Sequence, residues 1–211
     1  MRWRHLGLAL GLGFTTFVLP SAALAEPRLH DGLFVQLALG FGPGWLNEEA
    51  KDPSAVVVLG SDEVAMSAVT GMFEVLVGGT PVPGLVLGGA LTGHSMVNPT
   101  MEVDGEKLET EDTSVGISQL SLFANWYPDP RQGFYLHGSV GYGSATVTVD
   151  DVTYDVESDG LVLGAGLGYD FWVGDEWSVG PQFRFTYAPL DSDAVSDTFI
   201  SPILAFTATY H

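Results

Sequence analysis

The chain has 211 residues, 26 acidic side chains against 7 basic ones for a formal charge of −19, and no cysteine. That charge excludes nucleic acid as a partner, and the missing cysteine excludes disulfides, thiolate metal sites and thiol nucleophiles. With 46% hydrophobic and 11% aromatic residues the sequence is not an acidic disordered tail, and without a break in composition a single domain is expected.

At the start, Arg2 and Arg4 lead an apolar run from Leu6 to Leu19, followed by Pro20-Ser21 and Ala23-Leu24-Ala25. This reads as a secretory signal peptide over residues 1–25, cleaved after Ala25, with a barrel domain over residues 26–211. The alternative, an uncleaved anchor, fits less well because the run is short and ends in a small-residue cleavage pattern. Loss of Arg2 and Arg4 takes the mature chain from −19 to −21. Beyond Ala25, glycines, Glu74, Asp170 and Arg184 interrupt every apolar stretch of about 20 residues, so a membrane-spanning helix is excluded.

The rest of the sequence alternates with a period of two, the mark of strands with two unlike faces. In strand one, from Gly32 to Gly42, Leu33, Val35, Leu37, Leu39 and Phe41 face one way and Phe34, Gln36, Ala38 and Gly40 the other; Pro43 and Gly44 stop it. An acidic loop reaches about Met66, with Val56 to Leu59 able to pair locally. Strand two spans about Ala68 to Val77, with Thr70, Met72, Glu74 and Leu76 inward, and strand three spans Leu85 to Met96, with Val86, Gly88, Ala90, Thr92 and His94 inward. A second acidic loop covers Asn98 to Ser114. Strand four runs from Ile117 to Tyr127, and strand five from Phe134 to Val149 with Tyr135, His137, Ser139, Gly141 and Gly143 inward. Asp150 to Asp159 is the third acidic loop. Strands six and seven form a hairpin from Leu161 to Tyr187, whose inner face holds Gly164, Gly166, Gly168, Asp170, Gln182 and Arg184. A fourth loop spans Ala188 to Thr198, and strand eight runs from Phe199 to Tyr210.

In that hairpin the large apolar residues Leu163, Leu167, Phe183 and Phe185 share one face. The other carries glycines, an Asp, an Arg and a Gln, too small for an exposed surface and too charged for a packed core. A narrow polar lumen with lipid outside fits both faces. A soluble lipocalin-like carrier would put polar residues where those four stand. The expectation is therefore an all-β, eight-stranded antiparallel up-and-down transmembrane β-barrel, exported to the cell outer membrane. Four long loops alternate with three tight turns, and the loops hold 19 of the 26 acids, so one end is anionic. Aromatic girdles are expected from Trp126, Phe134, Tyr169, Phe171, Trp177 and Tyr210 at the turn end and from Phe41, Trp45, Tyr187 and Phe199 at the loop end.

On the signal sequence, the eight alternating strands, the loop pattern and the aromatic last strand, the chain resembles the small outer-membrane barrels of the OmpA-like transmembrane domain and OmpX type. The resemblance implies insertion by the barrel assembly machinery, which reads a terminal Phe; here Tyr210 holds the outward phase and His211 follows. In OmpA-like proteins a peptidoglycan-binding domain follows the barrel; as a departure from that pattern, none is expected after His211.

Charges inside a lumen only wide enough for side chains must pair. Glu74 and Arg184 fall at similar heights and are expected to form an ion pair, with Asp170, His94, His137, Gln36 and Gln182 as hydrogen-bond partners. Such a network serves as a structural plug or, as the resemblance suggests, as a gate for small solutes in a narrow channel. His137 and Ser139 share a face, and a His-x-Ser pair resembles that of the lipid A deacylase barrels. Both point into the lumen, however, and the nearest acid by offset, Asp151, lies in the opposite loop. Gly164-x-Gly166-x-Gly168 sits inside a strand with no helix after it, so it is not a phosphate loop. Asp191-x-Asp193 lacks the glycine and glutamate of a calcium loop. No cofactor, metal site or catalytic residue is assigned. The expected role is structural or interactive, with outer-membrane lipids and lipopolysaccharide, the assembly machinery and divalent cations at the acidic loops as partners of a monomer.

Overall fold

The computed structural model describes residues 30, 32–51, 61–150 and 152–211; the signal peptide expected over residues 1–25, Asp52, Val56 to Leu59 and Asp151 lie outside them. Eleven strands are present: β1 (Leu33–Ala50), β2 (Glu63–Val82), β3 (Leu85–Val97), β4 (Thr100–Val103), β5 (Glu106–Glu109), β6 (Thr113–Trp126), β7 (Phe134–Val149), β8 (Val152–Tyr169), β9 (Phe171–Trp172), β10 (Trp177–Asp191) and β11 (Val195–Tyr210). Eight of them, β1, β2, β3, β6, β7, β8, β10 and β11, pair antiparallel in chain order, and β11 returns to β1 to close the ring. Leu33 lies opposite Gly79 in β2, and Val35 opposite Tyr210 in β11. No helix occurs among the described residues.

Period-two sequence gives each strand a bulky outer face and a mixed inner one. Phe41, Val69 and Leu122 are each 71% exposed, and with Leu39, Leu204 and Phe206 they continue a band of apolar side chains around the wall. Such a band has no counterpart on a water-facing monomer and suits hydrocarbon. At the turn end the outward aromatics Trp126, Phe134, Tyr169, Phe171 and Trp177 border it. At the opposite end stand Phe41, Trp45 and Tyr187, joined by Tyr142. Phe199 departs from the expected girdle. It is fully buried, because its position shares the inward phase of Ser201 and Ile203, and its ring caps the lumen beside His94.

The strands outrun their expected limits. Pro43 does not stop β1, which runs on to Ala50 against Glu63–Val64 of β2. β7 and β8 meet in a tight turn that joins Val149 to Val152, and β10 and β11 meet through Ser192, whose amide donates to the Val195 carbonyl at 2.9 Å. The second acidic loop folds into the β4–β5 hairpin, and β4 docks on Val64–Ser67 of β2. The acidic end is thus largely a continuation of the wall rather than a set of loops. The closing ladder is interrupted by facing prolines. Pro43 and Pro202 share a register position between β1 and β11, neither has an N–H to give, and pairing resumes only at Trp45 and Ile200. The Ser201 hydroxyl donates to the Pro43 carbonyl there at 3.0 Å.

The interior is more apolar than the expected polar lumen. Phe34, Leu76, Val86, Ala90, Phe123, Tyr127 and Tyr135 form a layer at the turn end. Leu46, Met96, Val115, Ile117, Ala145, Val162, Ala188, Leu190 and Phe199 form another at the hairpin end, and Ala38, Met72, Ile203 and Ala205 pack together as a third cluster.

Where the wall turns from β8 into β9, β10 comes unusually close: a Cβ on Gly180 would lie 1.7 Å from the Tyr169 carbonyl oxygen. That atom is backbone and cannot swing away. Gly180→Ala is expected to cost about 1–3 kcal/mol, read as a lower urea midpoint in micelles. Gly93→Ala, with nothing within 4 Å of its added methyl, should leave the midpoint unchanged.

Candidate functional site

Arg184 of β10 is the largest fully buried side chain among the described residues. Its Nη2 donates to Glu74 Oε2 of β2 at 2.5 Å across the lumen, and Thr92 Oγ1 of β3 donates to Glu74 Oε1 at 3.1 Å. With its amide oxygen turned to the guanidinium, Gln182 accepts from Arg184 Nε at 3.2 Å and Nη2 at 2.9 Å, and its nitrogen donates to the Tyr135 hydroxyl at 2.8 Å and to Gln36 Oε1 at 3.2 Å. Gln36 Nε2 in turn donates to Thr209 Oγ1 at 2.9 Å. One guanidinium, one carboxylate and two amides therefore pair with one another, as buried charges require, with Arg184 Nη1 left without a hydrogen-bond partner.

Three of the four glycines of β8 make room for this group. A Cβ on Gly168 would stand 2.4 Å from the Tyr135 ring, one on Gly164 2.2 Å from Ser139 Oγ, and one on Gly166 2.4 Å from the Phe183 carbonyl oxygen. Their size is demanded by neighbours across the ladder.

Of the residues singled out from sequence, Glu74, Arg184, Gln182 and Gln36 come together. His94 stands towards the hairpin end, where its Nε2 lies 3.5 Å from Thr186 Oγ1 and its ring meets Phe199 edge-on at 5.3 Å. His137 faces Asn125 Oδ1 at 2.7 Å through Nδ1 and stacks on Phe123; both belong to the lumen wall rather than the ion pair. Asp170 is elsewhere, at the turn end, where its Oδ2 accepts from the Tyr127 hydroxyl at 2.8 Å. Tyr135, Thr92 and Thr209 complete the network unforeseen, although their inward phase marked them as lumen residues.

A second buried group occupies the floor of the barrel at the turn end. His30, which precedes β1, stacks on Tyr127 at 3.8 Å and on Trp172 at 5.2 Å. Its Nδ1 is 3.0 Å from His211 Nδ1. His211 Nε2 is 2.8 Å from Ser178 Oγ and 4.0 Å from Asp170 Oδ2, and its amide donates to the Glu176 carbonyl at 2.9 Å. Burial pushes the His30 imidazole down to about 4, and burial together with the neighbouring His30 pushes His211 down to about 3, so both are neutral at neutral pH. No local pattern pointed to this pair, since the two residues are separated by almost the whole chain and only ring closure joins them.

The autotransporter β-domain family model matches residues 68–208. Among solved structures, Neisserial surface protein A is 15% identical with a TM-score of 0.53, the alignment covering 85% of this chain and 96% of that one. Ail, the attachment invasion locus protein of Yersinia pestis, is 10% identical with a TM-score of 0.43, covering 84% and 99%. The outer membrane protein OprG from Pseudomonas aeruginosa is 12% identical with a TM-score of 0.38, covering 88% and 99%. No curated protein sequence matches this one. The family differs from the OmpA-like and OmpX grouping that the sequence resembles, while the small outer-membrane barrel architecture is common to both. With a family match over about two thirds of its length and a closed wall with an apolar outer band, the chain belongs to the autotransporter β-domain family and is a barrel of the bacterial outer membrane.

Proposed function

We propose that this protein is a structural and interaction barrel with a closed, side-chain-filled lumen that supports the membrane and presents an anionic hairpin surface outside the cell. The observation that carries this reading is the Arg184–Glu74 pair, 2% and 3% exposed, within a lumen packed by apolar layers at both ends. The second reading is a narrow channel gated by the same pair, favoured by the two opposed charges in the bore. Catalysis gains no support from His137, which is held by Asn125 and faces the lumen. The partners we propose are outer-membrane lipids and lipopolysaccharide, the assembly machinery during insertion, and divalent cations bridging the acidic hairpins to lipid phosphates; the barrel acts as a monomer.

Planar bilayers separate the two readings of the lumen. No current from wild type or from Arg184→Ala fits the plug; current from wild type overturns the closed lumen, and current from the variant alone favours the gate. The pair also has an energetic signature. Arg184→Met leaves the Glu74 carboxylate buried without its partner and should cost about 3–5 kcal/mol, whereas adding Glu74→Met should restore most of the loss, both read by urea unfolding in micelles.

The hairpin end carries its own charge constraint. Glu48 of β1 lies directly across the ladder from Asp197 of β11, and the Ser158 hydroxyl donates to Asp197 Oδ2 at 2.5 Å. Partial burial, then the Asp197 charge, pushes the Glu48 carboxyl up to about 7, and burial likewise raises Asp197. A carboxyl raised in the folded state favours folding when protonated, so this contribution is full below the ordinary carboxylate range and is lost as pH rises through about 7. Carbon NMR of the Glu48 carboxyl should give a midpoint near that value, and Asp197→Asn should lower it. Glu48→Gln should flatten the pH dependence of amide-exchange protection along β1 and β11.

A further inference from the structure

The buried group on the barrel floor has the composition of a metal centre. His30, Asp170 and His211 each offer one donor atom, and the three atoms all lie within 4.8 Å of one another. They arrive from three places: His30 precedes β1, Asp170 sits at the break between β8 and β9, and His211 follows β11. His30 and Asp170 are each only 1% exposed. Asp170 Oδ1 has no hydrogen-bond partner of its own, although the Ser178 and Thr209 hydroxyls lie beside the carboxylate. A buried carboxylate oxygen left in this state beside two imidazoles is a donor set looking for a cation.

We propose that His30, Asp170 and His211 bind one divalent transition-metal ion of the zinc and copper(II) class at the periplasmic mouth of the barrel.

Two imidazole nitrogens and a carboxylate oxygen are the ligand set these borderline ions prefer, whereas calcium and magnesium take oxygen almost throughout. The 3.0 Å between the two Nδ1 atoms is close to the spacing of neighbouring ligands around an ion with bonds of about 2 Å. The three donor atoms lie within 4.8 Å of one another, so closing the carboxylate onto the two Nδ1 atoms asks for a side-chain movement of about 1–2 Å, and water supplies a fourth ligand. Ser178 Oγ, bonded to the His211 ring, and Gln132 O, 3.4 Å from His30 Nε2, are placed to orient the two imidazoles from behind, as outer partners of metal-bound histidines do. Bound there, the ion would tie the segment ahead of β1 to the end of β11 beneath the ring they close. It would stabilise the folded barrel in proportion to its concentration over its Kd.

The test uses the full chain without an added histidine tag, refolded in micelles, with zinc chloride for calorimetry and copper(II) for fluorescence. One zinc per barrel is expected, with a rise in melting temperature. Trp172, whose ring lies 4.6 Å from His211, should be quenched by one equivalent of copper(II), and Trp172→Phe should remove that quenching. His30→Ala and His211→Ala should each weaken zinc binding at least tenfold, while His94→Ala and His137→Ala, in the lumen, should leave it unchanged. Both ligand positions lie outside the strands, and heat-modifiable gel migration verifies that each variant is folded; His211→Gln serves if His211→Ala is not. Zinc affinity unchanged in folded His30→Ala and His211→Ala barrels, or stoichiometric binding lost only on neutralising the acidic hairpins, would overturn the site.

Discussion

A peptide group in hydrocarbon has no water to bond, so each N–H and C=O in the wall must find its partner within the protein. A flat sheet leaves two edges unsatisfied at a cost of several kcal/mol per group, and the ring removes both by laying β11 against β1. Much else follows from that closure. It forces one face of every strand outward into lipid and the other into a bore too narrow for anything but side chains. It sets the glycines of β8 opposite Tyr135, Ser139 and the β10 backbone, and it brings the residue ahead of β1 together with the end of β11 on the barrel floor.

The charged pair in the bore is best understood as a register device. Replacing a buried ion pair by well-packed apolar residues is often neutral or stabilising, so the pair alone is weak evidence for stability. Its value lies in what it forbids. A slip of one residue turns every side chain of a strand to the other face, which would carry Arg184 into lipid at a cost of about 2–4 kcal/mol and push Phe183 and Phe185 into the lumen. With Glu74 in β2 and Arg184 in β10, the pair joins strands that are not neighbours, so it fixes their heights relative to each other across the bore. The apolar layers on either side then exclude water and keep the interaction strong.

The face each strand turns to lipid was legible in the sequence, because lipid on one side and a filled bore on the other impose a period of two along every span. Glu74 and Arg184 were legible for the same reason, as charges in the inward phase. The strand ends were not. Above the membrane both faces meet water or other polar groups, so the alternation fades while the ladder continues, and Glu48 and Asp197 read as loop residues although they face each other in a sheet. Pro43 misled as a stop signal because proline does end strands that need its N–H, whereas here the strand opposite also offers a proline. Phe199 misled because an aromatic near the interface suits a girdle as well as a plug. Asp170 was legible as an inward charge, but its meeting with His30 and His211 was not: it depends on which strand closes on which, and that is not local information.

The facing prolines at Pro43 and Pro202 bear on how the barrel is made and unmade. The ladder between β1 and β11 joins residues separated by nearly the whole chain, so its loop-closure entropy is the largest in the protein and it is the last to zip. The interruption leaves it in two shorter stretches, with a side-chain hydroxyl bridging the gap, so cooperativity along this seam is lower than along the uninterrupted β1–β2 ladder, where Pro43 still sits in register opposite Val69. The seam that closes the ring is therefore also one of the places where its backbone pairing is weakest.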